Sequence, residues 1–212
     1  EMCIRDRPDT ADLRKKLGYQ PDTPVILSLS RLAYEKNIKA SIAALPRILA
    51  QVPTAQLLIV GDGPAREDLE QQAKDAQLMD HITFTGEIDN DEVFRYYHMA
   101  NVFLSSSDSE SQGLTYIEAM AAGTKIVVMT SPYTDELLSS RTLGVTFTTQ
   151  DELVENVVDY LLHGDDEQDP DLLAQKLAEI SADTFGQHII EFYQDAQVSY
   201  EESHEDTPDF TD

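Results

Sequence analysis

Glu110 and Glu118 flank Gly113 in the run Glu-Ser-Gln-Gly-Leu-Thr-Tyr-Ile-Glu-Ala-Met-Ala-Ala-Gly, which ends at Gly123. Before it, Val102-Phe-Leu-Ser-Ser-Ser107 has the pattern of a short buried strand, and after it Leu114 to Ala122 is rich in helix formers. A strand, a turn with a glycine and then a helix present backbone N–H groups to an anion at the helix start. Glu110 falls in the turn, and Glu118 about one and a half turns into the helix. One carboxylate beside an anion and one further along could hydrogen-bond the hydroxyls of a sugar and of a ribose, which suits a nucleotide-sugar. The competing explanation of Glu118 is a side chain that points to solvent or meets an arginine.

The elements that position such a site are legible in the same way. Apolar, β-rich runs alternate with helical patterns, the signature of a parallel sheet covered by helices. Strands are expected at Val25–Ser30, Gln56–Val60, Ile82–Thr85, Val102–Ser106, Lys125–Met129 and Val145–Thr148. Helical patterns fall at about 37–51, 64–77, 90–99, 113–122 and 132–139, with further ones at 151–163, 170–182 and 184–202. Gly18 should stop a short helix over Ala11–Leu17, and Pro46 should kink or divide the helix that contains it. In the last pattern Phe185, Ile189, Phe192, Tyr193 and Ala196 share one face, so that helix is expected to dock on something apolar. The fold class is α/β: a Rossmann-like six-stranded parallel sheet with helices on both faces.

In such a sheet, ligands sit beyond the carboxyl ends of the strands. After the first strand come Arg31 and Lys36, just ahead of a helix. A cation there opposes the helix dipole by about 0.3–1 kcal/mol, and a bound diphosphate would reverse that sign. Arg31 can fork onto phosphate oxygens and Lys36 can add a mobile charge, although surface pairing with acids such as Glu35 would also account for both. After the second strand, Gly61-Asp62-Gly63-Pro64 begins like a dinucleotide fingerprint, but Arg66 holds the third glycine position, which disfavours NAD. A tight turn with Pro64 near the first helical position explains most of that motif. After the third strand, Ile88 could cover a nucleobase or pack on the core, and Asn90 should cap the next helix.

Composition narrows the classes further. Hydrophobic residues make up 41% of the 212, and no run approaches the ~18 apolar residues of a membrane span. The net charge is −25, and residues 151–212 carry 19 acids against the single Lys176, a surface that repels nucleic acid and anionic lipid. Cys3 alone excludes an internal disulfide framework and a cysteine-based zinc site. His81, His98, His163, His188 and His204 show no metal-ligand spacing, and Asp108-Ser-Glu110 resembles a paired-acid metal motif only incidentally, so no metal or other cofactor is expected. No serine or cysteine has the setting of a nucleophile.

Taken in order, Ser-Arg-Leu-(x3)-Lys, Val-Gly-Asp-Gly-Pro, Phe-Thr-Gly-Glu-Ile and Glu-(x7)-Glu-Ala-Met-Ala-Ala-Gly resemble the carboxy-terminal, donor-binding domain of a family-4 retaining glycosyltransferase of the GT-B fold. The resemblance covers roughly residues 9–200. It implies that Arg31 and Lys36 clamp the nucleotide diphosphate, aided by the amides of Gly113, Leu114 and Thr115. It also implies that Glu118 holds the ribose hydroxyls, Glu110 contacts the transferred sugar near the reacting carbon, and Ile88 lies against the base. Glu110, Arg31 and Lys36 are thereby the catalytic candidates, and Gly113, Leu114, Thr115, Glu118 and Ile88 the donor-binding ones.

Within that family, Glu-Ser-Gln-Gly-Leu-Thr-Tyr-Ile-Glu and Ser131-Pro-Tyr-(x3)-Leu-Leu resemble Gram-positive enzymes that glucosylate diacylglycerol. That implies UDP-glucose as donor substrate and a lipid acceptor, with transfer on the front face and retention of configuration. Thr124 stands where the family usually has proline, and Ser111-Gln112 replaces its more common aromatic. The resemblance further implies an amino-terminal acceptor domain of the same enzyme, a cytoplasmic location docked peripherally at the inner face of the membrane through that domain, and no transfer by this chain alone. Residues 1–8 are expected to be a non-native or disordered leader, 9–203 the donor-binding domain and 204–212 an acidic disordered tail. The competing readings are a non-catalytic, nucleotide-binding Rossmann-like module and another GT-B enzyme such as a sugar-nucleotide epimerase or a phosphorylase.

Overall fold

The structure, a computed structural model, describes residues 10–107, 113–138, 140–164 and 169–180. Two compact units divide the chain, Glu1–Asp169 and Pro170–Asp212. The expected helix at 184–202 and its apolar face lie outside the described residues, as do residues 1–8 and 204–212.

The first unit is built on one parallel sheet of β1 (Val25–Leu29), β2 (Gln56–Val60), β3 (Ile82–Phe84), β4 (Val102–Ser105), β5 (Lys125–Met129) and β6 (Gly144–Phe147), in the order β3-β2-β1-β4-β5-β6. The central strands read as nearly unbroken apolar runs because both of their faces are covered. β1, β2, β4 and β5 are buried along almost their whole length, whereas the edge strands β3 and β6 are only partly so. Register aligns Ile26 of β1 with Leu57 of β2 and with Val102 of β4.

Alternation along the strands divides the core into two layers. Ile26, Leu57, Ile59, Val102, Leu104 and Val127 face one layer. There they meet α2 (Ile38–Leu49), α3 (Arg66–Asp75) and α7 (Gln150–His163). The opposite layer holds Phe103, against which Tyr97 of α4 (Asn90–Met99) and Tyr116 of α5 (Leu114–Ala121) pack with ring centroids 5.7 and 5.9 Å away. The short helix α1 (Ala11–Lys16) packs on α4, and α6 (Pro132–Leu137) links β5 to β6. Right-handed crossovers require this division: connections leading outward from β1 to β3 fall on one face, and those from β3 through β4 to β5 on the other.

Local chemistry sets several helix ends. α1 ends at Gly18, whose φ of 78° lets the amides of Gly18 and Tyr19 return to the carbonyls of Lys15 and Arg14. α6 and α7 each start in a reciprocal capping box, Ser131 with Thr134 and Thr149 with Glu152. Pro46 does not divide α2: it lies in the last turn on the exposed side, where its ring costs one backbone bond near an end that is already short of partners.

One helix start and one cap differ from expectation. α3 begins at Arg66, past Pro64, because the intervening residues bond to the β1 loop instead. α4 is capped at Asp89 rather than Asn90, and without a side-chain cap bond. In the second unit, α8 (Pro170–Glu179) carries a local bond from Lys176 Nζ to Glu179 Oε2 at 3.2 Å. Among the described residues no helix is long and apolar enough to cross a membrane.

Candidate functional site

Strand order reverses between β1 and β4, so the connections leaving their carboxyl ends diverge and open a crevice, the usual ligand position in an open α/β sheet. One connection carries Arg31 and Lys36, and the other leads into α5. A cavity of about 140 Å³ lies in that crevice, and its walls include Ser30, Arg31, Lys36, Phe103, Ser105 and Thr115. The structure therefore brings together residues separated by most of the domain in sequence.

The β1 connection is held by backbone. Leu32 N–H donates to Asp62 O and Ala65 N–H to Leu32 O, each at 2.9 Å, lacing this loop to the one after β2. The contact is possible only because of the two glycines. A Cβ on Gly61 would lie 2.1 Å from Ser30 O, and one on Gly63 would lie 2.6 Å from Leu32 O; φ is also positive at both, 123° and 157°. The Gly-x-Gly start is thus a close-approach device that supports the segment carrying Arg31. Arg66, at the third glycine position, closes it from the side: its Nη1 donates to Asp62 Oδ2 at 2.6 Å and its Nε to Glu70 Oε1 at 2.9 Å. The Gly63 amide, and then Arg66, hold the Asp62 carboxyl below its ordinary value.

Arg31 is exposed, and no acid, Glu35 included, pairs with it among the described residues, so the surface-pair explanation does not hold for Arg31. Lys36 closes the 3-10 turn Tyr34–Lys36, after which Asn37 adopts the left-handed conformation, φ 48°, and starts α2. Beneath the crevice, the buried hydroxyls of Ser41 and Ser106 meet at 3.2 Å, tying α2 to the end of β4.

The second wall is the start of α5. Gly113 is its N-cap at φ 57°, and a Cβ there would meet the Tyr133 ring at 2.5 Å. Gly113 O accepts from the amides of Tyr116 and Ile117, while those of Gly113, Leu114 and Thr115 have no acceptor among the described residues. No described residue accepts from the three amides expected to face an anion, and Thr115 lines the cavity with both cations. Glu110, with Ser111 and Gln112, lies outside the described residues.

Glu118 neither points to solvent alone nor meets an arginine. It is half-buried and accepts the Tyr97 hydroxyl on Oε2 at 2.9 Å. Burial, and then the carboxylate beside it, push the Tyr97 phenol up, so it remains a donor. Thr124 donates its own hydroxyl to Tyr97 O at 2.7 Å. Ile88, half-buried after β3, is not part of the cavity wall and stands about 14 Å of sheet from β4 at the usual strand spacing. Tyr97, Tyr133 and Ser41 are the residues that sequence reasoning missed, since each acts on a partner far along the chain and no spacing announces it.

Comparison with known proteins identifies the family and the fold. The profile of the family described as Glycosyl transferases group 1 matches residues 9–183. An alpha-monoglucosyldiacylglycerol synthase of Streptococcus pneumoniae is 39% identical over 204 residues, covering 94% of this chain and 46% of that protein. An alpha-monoglucosyldiacylglycerol synthase of Acholeplasma laidlawii is 32% identical over 179 residues, covering 84% and 44%. The chain thus spans a little under half the length of these relatives. Among solved structures, sucrose-phosphate synthase from Thermosynechococcus elongatus superposes with a TM-score of 0.74 at 26% identity, over 89% of this chain and 49% of that one. Its solved neighbours are GT-B glycosyltransferases, and the Rossmann-type sheet is of that kind. The chain belongs to the group 1 glycosyl transferases.

Proposed function

We propose that this chain is the nucleotide-sugar half of a retaining glycosyltransferase that moves glucose from UDP-glucose to a lipid such as diacylglycerol. The observation that carries the reading is the convergence of Arg31, Lys36 and the start of α5 on one cavity at the strand-order reversal. Two cations and a helix start are what a leaving diphosphate requires, and stabilising that charge is an electrostatic role of the oxyanion-hole kind. Gly113, Leu114 and Thr115 give their amides to the diphosphate, Glu118 holds the ribose hydroxyls, and Ile88 lies against the base. Glu110 contacts the transferred sugar close to the reacting carbon. Attack comes from the face the diphosphate leaves, so configuration is retained and no enzyme nucleophile is used.

The lipid acceptor is supported by the names of the two synthases, and a companion amino-terminal domain by the share of their length that this chain leaves uncovered. That domain would bind the acceptor and dock the enzyme at the inner face of the membrane. The cations and amides meet the leaving-group charge with no cofactor, so a chelator should leave donor binding unchanged.

Thermal melting against UDP-, GDP- and ADP-sugars tests the reading, because a ligand that binds only the folded state raises its stability by about 2.7 kcal/mol at a hundredfold excess over Kd. UDP-glucose should give the largest shift, and purified chain should form no glycolipid. In the enzyme joined to its acceptor domain, Glu110→Ala should abolish transfer. Intact turnover there would leave a nucleotide-binding module without chemistry.

A further inference from the structure

We propose that Tyr97 is a positioning residue for the donor: its buried hydroxyl fixes one oxygen of Glu118 so that the other is presented to the ribose. The proposal rests on the reading of Glu118 as the ribose ligand. Tyr97 is fully buried, with 0% of its surface exposed, and its hydroxyl donates to Glu118 Oε2. Glu118 Oε1 has no protein partner among the described residues. On α5, Glu118 lies one turn beyond Thr115, which lines the cavity, while Glu118 itself stands outside the cavity wall.

The Tyr97 end of the contact is held on two sides. The Tyr97 ring packs on Phe103, a cavity-wall residue, and its carbonyl is tied by Thr124. A buried phenol needs an acceptor, but a backbone carbonyl would satisfy it. Drawing a carboxylate partly out of water has a desolvation cost. That cost is useful where the carboxylate must be held still for a ligand, since rigid support of a ligand-contacting group is what sets its geometry. Two ribose hydroxyls then meet a carboxylate whose rotation is already fixed, and the entropy of ordering it is not charged to binding.

The test compares UDP with 2′,3′-dideoxy-UDP by titration calorimetry on the 212-residue chain. The wild type should prefer UDP. Tyr97→Phe keeps the ring, verified by an unchanged melting profile at neutral pH to within a few degrees. It should cut the preference for UDP about 10- to 100-fold, the size expected for loss of a hydrogen bond to a charged group. Its affinity for the dideoxy nucleotide should stay within about twofold of the wild type. In a Glu118→Ala background, where the Tyr97 hydroxyl has no carboxylate to hold, the same change should have no further effect on the preference, because the two residues act as one unit. Equal weakening of both nucleotides would mark Tyr97 as a packing residue only and overturn the proposal, as would an undiminished preference for UDP. A wild type that binds the two nucleotides alike would remove the ribose reading of Glu118 and this proposal with it.

Discussion

The two walls of the crevice are held by different means. On the β1 side, loop lies on loop: Leu32 exchanges backbone bonds with Asp62 and Ala65, and Gly61 and Gly63 let the chains touch. On the α5 side, side chains set the geometry. Tyr97 holds Glu118, Thr124 holds Tyr97, and the Tyr133 ring fills the space a Cβ on Gly113 would need. A backbone-laced loop has few alternatives, because almost any added atom collides with a carbonyl. A wall built from side chains can lose one contact and keep its shape. Substitutions should therefore be nearly all-or-none on the first wall and graded on the second.

Gly61→Ala should have the largest effect. The new Cβ would fall 2.1 Å from Ser30 O at a φ of 123°, so the backbone must move. A loss of about 2–5 kcal/mol is expected, overpacking and backbone strain contributing about 1–3 kcal/mol each. It should be read as a lower denaturant midpoint, with nucleotide binding lost because Arg31 moves with its loop. Gly63→Ala should follow the same course. A stable Gly61→Ala chain that still binds would break the contrast between the walls.

Arg31→Ala should come next, and on binding alone. Arg31 is exposed and without an ion pair among the described residues, so the melting temperature should hold. Nucleoside diphosphate affinity should fall about 10- to 100-fold, from the loss of hydrogen bonds between charged groups. Calorimetry with UDP and with uridine would locate the effect, since uridine has no diphosphate for Arg31 to hold and should bind the two proteins alike.

Thr124→Val probes the second wall. It leaves the buried Tyr97 carbonyl without that donor, and a loss of about 1–2 kcal/mol is expected, with binding retained. Thr124 also illustrates what the sequence shows and what it hides. It stood out only as a departure from the family's usual proline, and nothing near it pointed to the Tyr97 carbonyl, 27 residues away. The strands were legible because β1, β2, β4 and β5 are apolar runs buried on both faces, a local property. Arg31 and Lys36 were legible because strand ends are where ligands sit, and both border the cavity at the strand-order reversal. Tyr97 with Glu118 and Ser41 with Ser106 were not, since pairs 21 and 65 residues apart meet only when the helices pack. The start of α3 and the cap of α4 were misplaced, the first for a related reason. Pro64 and Asn90 are good local signals, but the chain around Pro64 is committed to lacing the β1 loop.

The smallest expected effect is electrostatic, and it separates the two walls by pH. Asp62 belongs to the laced wall, and its carboxyl is lowered by the Gly63 amide and then by Arg66. A group lowered on folding adds stability above its ordinary value of 3.8 and loses it as pH falls through the lowered one. Tyr97 belongs to the other wall, and burial raises its phenol above the ordinary 10.0. There the unfolded chain releases a proton that the folded chain keeps, so stability is intact below pH 10.0 and declines above it. Asp62→Asn should therefore narrow its gap from the wild type only on the acid side, and Tyr97→Phe should flatten the decline only on the alkaline side. Asp62 is at the surface, so its share is small and should shrink further in salt, whereas that of the buried phenol should not. Denaturant midpoints across pH at low and high salt measure both limbs. If Asp62→Asn changed the alkaline limb, the laced loops and the α4–α5 side chains would be one coupled network rather than two independent supports for the same crevice.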